Sequence, residues 1–344
     1  MIKESERPSV TLREVARLAG VSPATASRAL SPGARTVRAE ARERVVEAAE
    51  SLGYRPNLTA KATATGTTQT IAVMVSDIRD PYYTTIAQGL IEGAAAAGLI
   101  VTLVGTSSST AEESSLLHEL RGLSPRMVVL TGNRVGNGEA RQKLVQELSH
   151  YKDNGGRVVV VGQDELPFDT VVLGHEAGAA ELAQVLVTRG YRNPVLLGPP
   201  ENSANSTEWE RGFIKGAQAA GIEMDPTYVH RAPFSRDGAY ETVRRLARHG
   251  LGNTDLIVAA SDLMAIGTLS ALRDSGIEPG RDVAVAGFDN IVGAQDVTPE
   301  LTTIDLGLQE AGAAALALGL HQSHQRQILT IPTELIIRDS TPSR

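Results

Sequence analysis

The stretch TLREVARLAGVSPATASRAL, residues 11–30, decides the fold of the first part of the chain. Thr11 followed three residues later by Glu14 is a capping-box pattern, which starts a helix. Apolar residues then recur at helical spacing as far as Gly20, where a glycine can end the helix. The stretch therefore opens with one short amphipathic helix.

A second helix is predicted directly after this glycine. Ser22 can cap it, and Pro23 occupies the first helical position, where a missing backbone N–H costs nothing. Its outer face carries small side chains and a single arginine, Arg28. Such a smooth helix suits close approach to another surface.

A third helix is predicted from about Arg38, with apolar residues on one face, and it ends at Gly53. Two helices joined by a tight glycine-containing turn, with a third packed across them, form the helix-turn-helix layout. The sequence thus predicts an all-α DNA-binding domain over residues 9–56 whose second helix enters the groove.

The charge distribution supports this prediction. The formal net charge is -7, but residues 1–66 hold 11 Lys/Arg against 7 Asp/Glu, whereas the remainder holds 22 against 33. The first segment is therefore net +4 and the rest net -11. A basic head on an acidic body concentrates phosphate attraction at one end, although a solvated helical surface would show the same excess.

Residues 57–69 are polar and rich in threonine, which predicts a linker or hinge helix. Beyond it, short apolar runs alternate with helical segments, which indicates parallel sheets covered on both faces. This pattern predicts an α/β core of two doubly wound lobes over residues 70–344, with a small-molecule cleft between them. Lobe 1 is predicted over about 70–164 and 296–325, and lobe 2 over about 165–295 and 326–344. The apolar runs lie at 71–75, 100–104, 127–130, 158–161, 195–197, 256–260 and 283–287.

The composition limits the class of protein. There are no cysteines, which excludes disulfides and thiolate chemistry, and no apolar stretch is long enough for a membrane span. The first ten residues lack the apolar segment of an export signal. We therefore expect a cytoplasmic protein, associated with the nucleoid through its DNA site, with no cofactor, no metal and no membrane partner.

Several motifs extend the interpretation across nearly the whole chain. They are TLREVARLAGVSPATASRAL, RERVVEAAESLGYRPN, SDIRDPYY, AASDLMAIGTLSALRDSGI, DVAVAGFDN and TPELTTI. On these motifs the chain resembles the lactose-repressor/galactose-repressor (LacI/GalR) family of bacterial transcription regulators. The resemblance implies a DNA head, a hinge helix that folds on operator DNA, and a dimerising effector domain of the periplasmic-binding-protein type.

The resemblance also implies DNA contacts. Arg28 can pair with a guanine edge, while Pro23 and Ala24 offer apolar contact. Ser22, Thr25 and Ser27, together with Thr11, would hold phosphates. In the hinge segment the implied contacts are Asn57, Lys61 and Thr63.

The hinge departs from the family pattern. A leucine usually stands where this chain has Thr63, and it wedges into the minor groove at the operator centre. Threonine is shorter and polar, so we expect operator binding with weaker kinking of the central step.

The effector site is implied by side chains that follow the strands. Asp289 in GFDN matches the ligand-binding aspartate of the family, since a carboxylate can accept from two adjacent hydroxyls. The full set of implied effector contacts is Asp77, Arg79, Tyr82, Tyr83, Asn133, Gln163, His175, Trp209, Ser261 and Asp289.

Three of these positions depart from the family pattern. Trp209 replaces the arginine found three residues before GF, and Ser261 replaces the asparagine of an ND pair. His175 stands in LGHEAG, where many members read VDN. Trp209, the single tryptophan, can stack on a sugar or nucleoside face, or it can pack in the core of the lobe. For His175 the alternative to a ligand contact is a structural histidine.

No enzyme motif is present, so the chain is predicted not to be an enzyme. A doubly wound dehydrogenase or kinase is the enzyme alternative, and a periplasmic receptor is the alternative without DNA binding. The prediction is a homodimeric regulator, most consistent with a repressor, that binds a pseudo-palindromic double-stranded operator under control of a carbohydrate effector. A nucleoside or other non-sugar effector is the alternative at the cleft, and the sign of the response stays open.

Overall fold

The chain forms two compact units, Met1–Thr68 and Gln69–Arg344, called here the head and the core unit. The structure is a computed structural model. It describes residues 10–30, 37–55, 68–106, 110–132, 138–200, 204–224, 226–321, 323 and 325–344.

The head contains three helices, α1 (Leu12–Leu18), α2 (Pro23–Ala29) and α3 (Ala39–Leu52). Both halves of the capping box at Thr11 are formed, and Ser22 caps α2 with Pro at its first position. α3 ends at Gly53, whose φ of 65° is the left-handed conformation that glycine adopts without strain. The local signals in the sequence are therefore the ones that begin and end these helices.

A small apolar cluster holds the three helices together. α1 contributes Val15, α2 contributes Ala26 and α3 contributes Val45, all fully buried. Alanines make up most of the remaining buried residues, so the helices approach closely and the head buries little area. Because helices of this length are marginal alone, their caps and this shared cluster must act together.

The first lobe of the core unit is built on a six-stranded parallel sheet with the order β11-β5-β4-β3-β1-β2. Its strands are β1 (Thr70–Val75), β2 (Ile100–Gly105), β3 (Met127–Thr131), β4 (Arg157–Gly162), β5 (Asp169–Leu173) and β11 (Ile328–Ile331). Its helices are α4 (Pro81–Ala96), α5 (Thr110–Leu123), α6 (Gly138–Asp153) and α12 (Leu308–Leu320). α4 and α12 cover one face, whereas α5 and α6 share an apolar cluster on the other face.

The second lobe is built on a four-stranded parallel sheet with the order β7-β6-β8-β9. Its strands are β6 (Pro194–Gly198), β7 (Val229–Arg231), β8 (Leu256–Ala259) and β9 (Ala284–Ala286). Its helices are α7 (His175–Thr188), α8 (Ala204–Ala219), α9 (Arg236–His249), α10 (Asp262–Asp274) and the short α11 (Gly293–Asp296). An antiparallel pair, β10 (Thr303–Asp305) with β12 (Glu334–Ile336), lies beside β9.

The chain crosses between the lobes three times. It leaves the first sheet after β5, returns to it between β10 and α12, and leaves it again between β11 and β12. The lobe boundaries expected from the sequence differ from this pairing. Two strands expected in the second lobe belong to the first sheet, namely residues 169–173 and 328–331. Conversely, one strand expected in the first lobe, residues 303–305, pairs with residues 334–336 beside the second sheet.

β2 corrects a second expectation. An apolar run suggested a strand covered on both faces, but β2 is an edge strand with partly exposed residues along its length. Ile100 and Leu103 are exposed on it. Val101 and Val104 pack against the apolar clusters of the lobe, so burial within the monomer accounts for only part of the apolar character of this strand. Separately, none of the described helices is long and apolar enough to cross a membrane.

Candidate functional site

The outer face of α2 carries the residues expected to meet DNA. Ser22, Pro23, Ala24, Ser27 and Arg28 are exposed. Thr25 is half-buried, and its backbone N–H and hydroxyl lie 3.1 Å and 2.8 Å from the Ser22 hydroxyl. Small side chains around one long basic side chain leave this face flat enough to approach a groove.

Arg28 lies along its own helix. Its Nε donates to the carbonyl oxygen of Ala24 at 3.2 Å, one turn earlier. The terminal nitrogens of the guanidinium have no hydrogen-bond partner among the residues that the structure describes, so they can still pair with a base edge. Arg28 can therefore swing out by giving up one exposed hydrogen bond.

Thr11 has a structural role at the start of α1. Its backbone N–H and its hydroxyl donate to Glu14 Oε2 at 2.7 and 2.8 Å. These bonds hold the pKa of the Glu14 carboxyl below its ordinary value, with the backbone bond as the larger cause. Thr11 is exposed, so a phosphate contact stays a prediction alongside this capping role. The predicted hinge contacts Asn57, Lys61 and Thr63, and the predicted effector contact Asn133, lie outside the described residues.

The candidate effector site begins where β1 ends. Asp80 caps α4 by accepting from the backbone N–H of Tyr82 at 3.0 Å, with Pro81 as the first helical residue. The Asp80 side chain is only 8% exposed, and this burial raises its pKa to about 6. Asp80 is missing from the sequence-based set, although an aspartate before proline after a buried strand is a recognisable helix-start signal.

Asp77 and Arg79 form an exposed pair in the same loop. The Arg79 backbone N–H and guanidinium donate to the Asp77 carboxylate at 2.8–3.2 Å, and the Arg79 side chain is 86% exposed. The hydrogen bonds from Arg79 lower the pKa of Asp77. Arg79 is therefore paired at the surface and does not supply a buried positive charge.

Asp289 lies just beyond the end of β9 in the second lobe. Its φ is 113°, a strained value for a residue with a side chain, and its backbone N–H donates to Ile304 at 2.9 Å. The residue is 6% exposed, and its carboxylate accepts no hydrogen bond from the residues that the structure describes. A buried carboxylate held without donors is the strongest sign of a ligand site in the core unit.

The electrostatics link Asp289 to the first lobe. Burial raises the pKa of Asp289 well above its ordinary value, and repulsion from Asp262 and Asp80 raises it further. Asp80 belongs to the first lobe and Asp289 to the second, so this repulsion acts between the lobes. The sequence identified Asp289 and missed Asp80.

Asp262 fixes the loop that carries Asp289. It is fully buried, and it accepts from the Thr303 hydroxyl at 2.6 Å and from the Ile291 backbone N–H at 2.9 Å. Burial raises its pKa to about 7. A side chain at Gly287 would overlap Asp262, so this glycine is required for the close approach. Asp262 is thus a positioning residue that the sequence reading missed.

His175 approaches the same loop from α7. Its ring stacks on Phe288 with centroids 6.0 Å apart, and Nδ1 lies 3.2 Å from the carbonyl oxygen of Leu173. Burial lowers its pKa to about 4, so the ring is neutral near pH 7. Because Nδ1 must then donate to the carbonyl, Nε2 is left as an acceptor.

Trp209 lies on α8 and is 1% exposed within the main apolar cluster of the core unit. Its indole Nε1 has no hydrogen-bond partner among the described residues. The neighbouring Glu208 lies close enough to the side-chain amide of Gln163 for that amide to lower its pKa, although burial, the larger effect, raises it. Gln163 follows β4, so the α8 residues also meet the first lobe at the carboxyl end of its sheet.

The remaining predicted contacts have structural partners. Tyr82 and Tyr83 are buried edge-to-face with ring centroids 5.0 Å apart, and Tyr83 packs against Gly132. Ser261 is buried and caps α10 by accepting from Met264 at 3.3 Å. Ser261 therefore has a structural role as a helix cap, and the effector contacts of Ser261 and the two tyrosines stay predictions.

Comparison with known proteins finds a matching family model in each of the two units. Residues 11–57 match the family described as "Bacterial regulatory proteins, lacI family", and residues 183–341 match "Periplasmic binding protein-like domain". The chain therefore combines a lacI-family DNA-binding domain with a periplasmic-binding-protein-like domain, and its relatives are LacI/GalR-type regulators. This result confirms the resemblance and the fold class predicted from the sequence.

Full-length relatives give the same result. Catabolite control protein A of Priestia megaterium and the HTH-type transcriptional repressor PurR of Pasteurella multocida (strain Pm70) are each 27% identical, over 97% of this chain and 99% of each relative. A solved transcriptional regulator CelR–cellobiose complex is 27% identical, with a TM-score of 0.69 over 97% of this chain and 100% of that chain. These LacI/GalR relatives are regulators, which confirms the prediction that the chain is a DNA-binding regulator and not an enzyme.

Proposed function

We propose that this LacI/GalR protein is a homodimeric repressor that binds a pseudo-palindromic operator and is controlled by a small molecule bound between the lobes. The observation that carries the proposal is the buried, unpartnered Asp289 carboxylate in a protein whose α2 face is exposed and flat. A regulator needs both a DNA-reading surface and a separate ligand site. The similarity to PurR supports repression as the sign of regulation.

DNA recognition is assigned to α2. Arg28 pairs bidentately with a guanine, and Pro23 and Ala24 contact a neighbouring thymine methyl group. Ser22 and Ser27 contact phosphates beside them and set the register. The Arg28–Ala24 contact is exchanged for base contacts on binding, and this exchange is small because both groups are exposed in the free protein.

Dimerisation is assigned to the apolar surface of the core unit. Ile100 and Leu103 on the β2 edge and Ile91 on α4 are exposed. In the second lobe, Phe234 and Val292 are exposed as well. Apolar side chains of this size at the surface of both lobes favour a partner, and a two-fold axis would then present two heads to two half-sites.

The effector is assigned to the carbohydrate class. Asp289 and Asp80 supply acceptors for hydroxyl groups, and the similarity to a regulator solved as a complex with cellobiose supports this class. Effector binding changes the closure of the two lobes and so changes DNA affinity, and DNA must reciprocally change effector affinity. We place this activity in the cytoplasm.

Footprinting on DNA selected by the full-length protein tests the first half of the proposal. We expect two protected half-sites in inverted orientation, about one or more helical turns apart. Protection of a single half-site without an inverted partner would overturn the dimer assignment. The Arg28→Lys variant is the matched control, because it keeps the charge but loses bidentate pairing, so it must lose sequence preference and retain salt-dependent binding.

Titration with effector candidates tests the second half. Trp209 is the single tryptophan, so its fluorescence reports on the core unit alone. A saturable change with a sugar, followed by an altered operator affinity at the same concentration, is the expected result. Binding that leaves operator affinity unchanged would overturn the coupling, and Asp289→Ala must abolish the fluorescence response.

A further inference from the structure

We propose that Asp305 is a positioning residue that ties the Asp289 loop, residues 287–292, to a hinge between the two lobes. This role presupposes the effector site proposed at Asp289. One oxygen of the Asp305 carboxylate accepts from the side-chain amide of Asn290 at 2.8 Å. The other oxygen accepts from the backbone N–H of Gly307 at 2.7 Å. One side chain therefore holds both the loop and the segment through which the chain enters the first lobe.

The Asp289 loop has a backbone conformation that its neighbours must hold. Its φ angles are 113° at Asp289 and 52° at Asn290, values that residues with side chains rarely adopt. The Asp289 N–H donates to the carbonyl oxygen of Ile304 at 2.9 Å. The Asn290 N–H donates to the Thr303 hydroxyl at 3.3 Å. The loop is therefore bound along β10, the strand that leads into the second of the three crossings.

Arg338 fixes the orientation of the Asn290 side chain. Its guanidinium donates to the side-chain oxygen of Asn290 at 2.8 Å and to the carbonyl oxygen of Leu301 at 2.7 Å. An amide has one acceptor end and one donor end, so the donor end of Asn290 must face Asp305. Turning the amide over would set donor against donor at Arg338 and acceptor against acceptor at Asp305. Asn290 thus has one orientation that satisfies both neighbours.

Gly307 is the residue at which the chain turns into the first lobe. It directly precedes α12, and its φ is 61°. A side chain at Gly307 would overlap Ile331, the last residue of β11, so the second and third crossings touch at this glycine. Hinges are short segments at the ends of elements that absorb the change in backbone angles when two lobes move. Because Asp305 holds the Gly307 N–H, it affects the direction in which the chain leaves the second lobe.

The link joins the ligand loop to lobe closure. A ligand shifts an equilibrium only when its contacts differ between the two states. The link makes the position of Asp289 depend on the hinge, so a ligand bound to Asp289 distinguishes the states. Without the link, the loop and the crossing can move separately. The lobes of the ligand-free protein should then sample a wider range of closure.

The test measures lobe closure directly in the ligand-free, full-length protein. The chain has no cysteine, so Lys152→Cys on α6 and Arg248→Cys on α9 give one spin label in each lobe. Both positions are exposed. An excess of unlabelled chains leaves one labelled subunit in each dimer. Double electron–electron resonance then gives the distribution of the distance between the two labels.

Two single variants break the link in different ways. Asn290→Gly removes the amide and keeps the loop conformation, since glycine adopts a positive φ without strain. Asn290→Asp removes the donor and places a second carboxylate against Asp305. We expect both variants to widen the distance distribution or displace its mean. Asn253→Gly, at an exposed asparagine before β8, is the matched control and should keep the wild-type distribution.

A double variant restores the link with its polarity reversed. When Asn290→Asp is combined with Asp305→Asn, the amide at position 305 donates to the carboxylate at position 290, and its oxygen still accepts from Gly307. The carboxylate at position 290 still accepts from Arg338. The net charge equals that of the wild type, so we expect the wild-type distribution to return. Thermal unfolding of each variant separates this role from stability, because a variant that is only less stable would keep the wild-type distances.

Two outcomes would overturn the link. One is an unchanged distance distribution in both single variants. The other is a wider distribution that persists in the double variant, because the effect would then not depend on the bond between positions 290 and 305. The measurement uses no effector, so failure of the link is distinguishable from failure of the proposed function. Operator footprinting and the fluorescence response of Asp289→Ala test that function separately.

Discussion

The head and the core unit place their binding residues differently: the head has exposed polar side chains, and the core unit has buried ones. In the head, the residues assigned to DNA are exposed, and Ser22 and Arg28 are held by hydrogen bonds within one or two turns of the same helix. In the core unit, Asp80 and Asp289 are buried and come from opposite lobes. The head therefore offers a preformed, solvated surface to DNA, whereas the core unit offers buried polar groups to a small molecule.

The two units differ in the free energy that is stored before binding. In the free protein the DNA-contacting groups of the head carry little desolvation cost, since they are exposed and remain hydrated. The core unit holds two buried carboxyl groups whose pKa values are raised, and a strained backbone at Asp289. Ligand binding can therefore release much more free energy in the core unit, which is what a switch between two states requires.

The largest expected effect tests whether Trp209 belongs to this buried system. Trp209→Ala should lower the free energy of unfolding of the core unit by about 3–5 kcal/mol, since a large side chain is removed from a packed cluster. Urea unfolding followed by far-UV circular dichroism measures the change. Trp209→Phe is the control and should lose less. A loss under about 1 kcal/mol would mean that the ring borders open space rather than core.

The next effect concerns pH. The pKa of Asp80 is raised to about 6 in the folded state, so its contribution to stability is full below pH 4 and is lost as the pH rises through 6. Asp80→Asn keeps a good helix cap and removes this loss, on the order of 2–3 kcal/mol. The measurement is the unfolding free energy of both proteins from pH 4 to pH 8.

His175 works in the opposite direction and provides an internal check. Its lowered pKa, about 4, gives stability that is present above pH 6.5 and lost as the pH falls through 4. This contribution is common to both proteins, so it cancels in the difference between them. A difference that did not change with pH would show that Asp80 ionises freely in the folded protein.

A third effect tests the exposed surface. Arg28→Ala should weaken operator binding by about 1–3 kcal/mol and relax the preference at one base pair. Gel-shift titrations on wild-type and singly substituted operators measure both quantities. Hydrogen exchange of the head amides should stay nearly unchanged, because the substitution removes one exposed hydrogen bond to Ala24. Uniform weakening on every sequence would instead assign Arg28 to a phosphate.

The smallest effect concerns the cap of α2. Ser22→Ala removes the acceptor for the Thr25 N–H and should destabilise the head by about 1 kcal/mol. Hydrogen exchange of the α2 amides measures this local loss, and Ser22→Asp, which retains a capping oxygen, is the control. Equal exchange in the alanine variant would show that packing alone holds α2 in place.

The sequence predicted the head more completely than the core unit. The helix starts at Thr11 and Ser22 depend on neighbours within a few residues, so the local pattern contains the whole cause. Asp289 was also identified, through its motif. Asp80 was missed although its helix-cap signal is local, because its burial is not visible in the sequence. Asp262 was missed because its role depends on burial and on a partner far along the chain, Thr303.

The strands show the same limit. The long apolar runs were found, but β5 and β11 were missed as partners in the first sheet, since DTVVL and ILTI are short and mixed with polar residues. The exposure of β2 was not predicted, because a run of apolar residues has the same pattern in a central strand and in an edge strand. Neighbour order in a sheet is set by long-range pairing, which local composition does not encode.

The three crossings between the lobes have a consequence for synthesis on the ribosome. β11, which completes the edge of the first sheet, leaves the ribosome after nearly the whole second lobe has emerged. The second lobe must therefore fold as an insert within an unfinished neighbour, and neither lobe can be inherited or transplanted as one continuous gene segment. A gene fusion or circular permutation at one of the three crossings would alter a segment that connects both lobes, so it would have to preserve the folding of both.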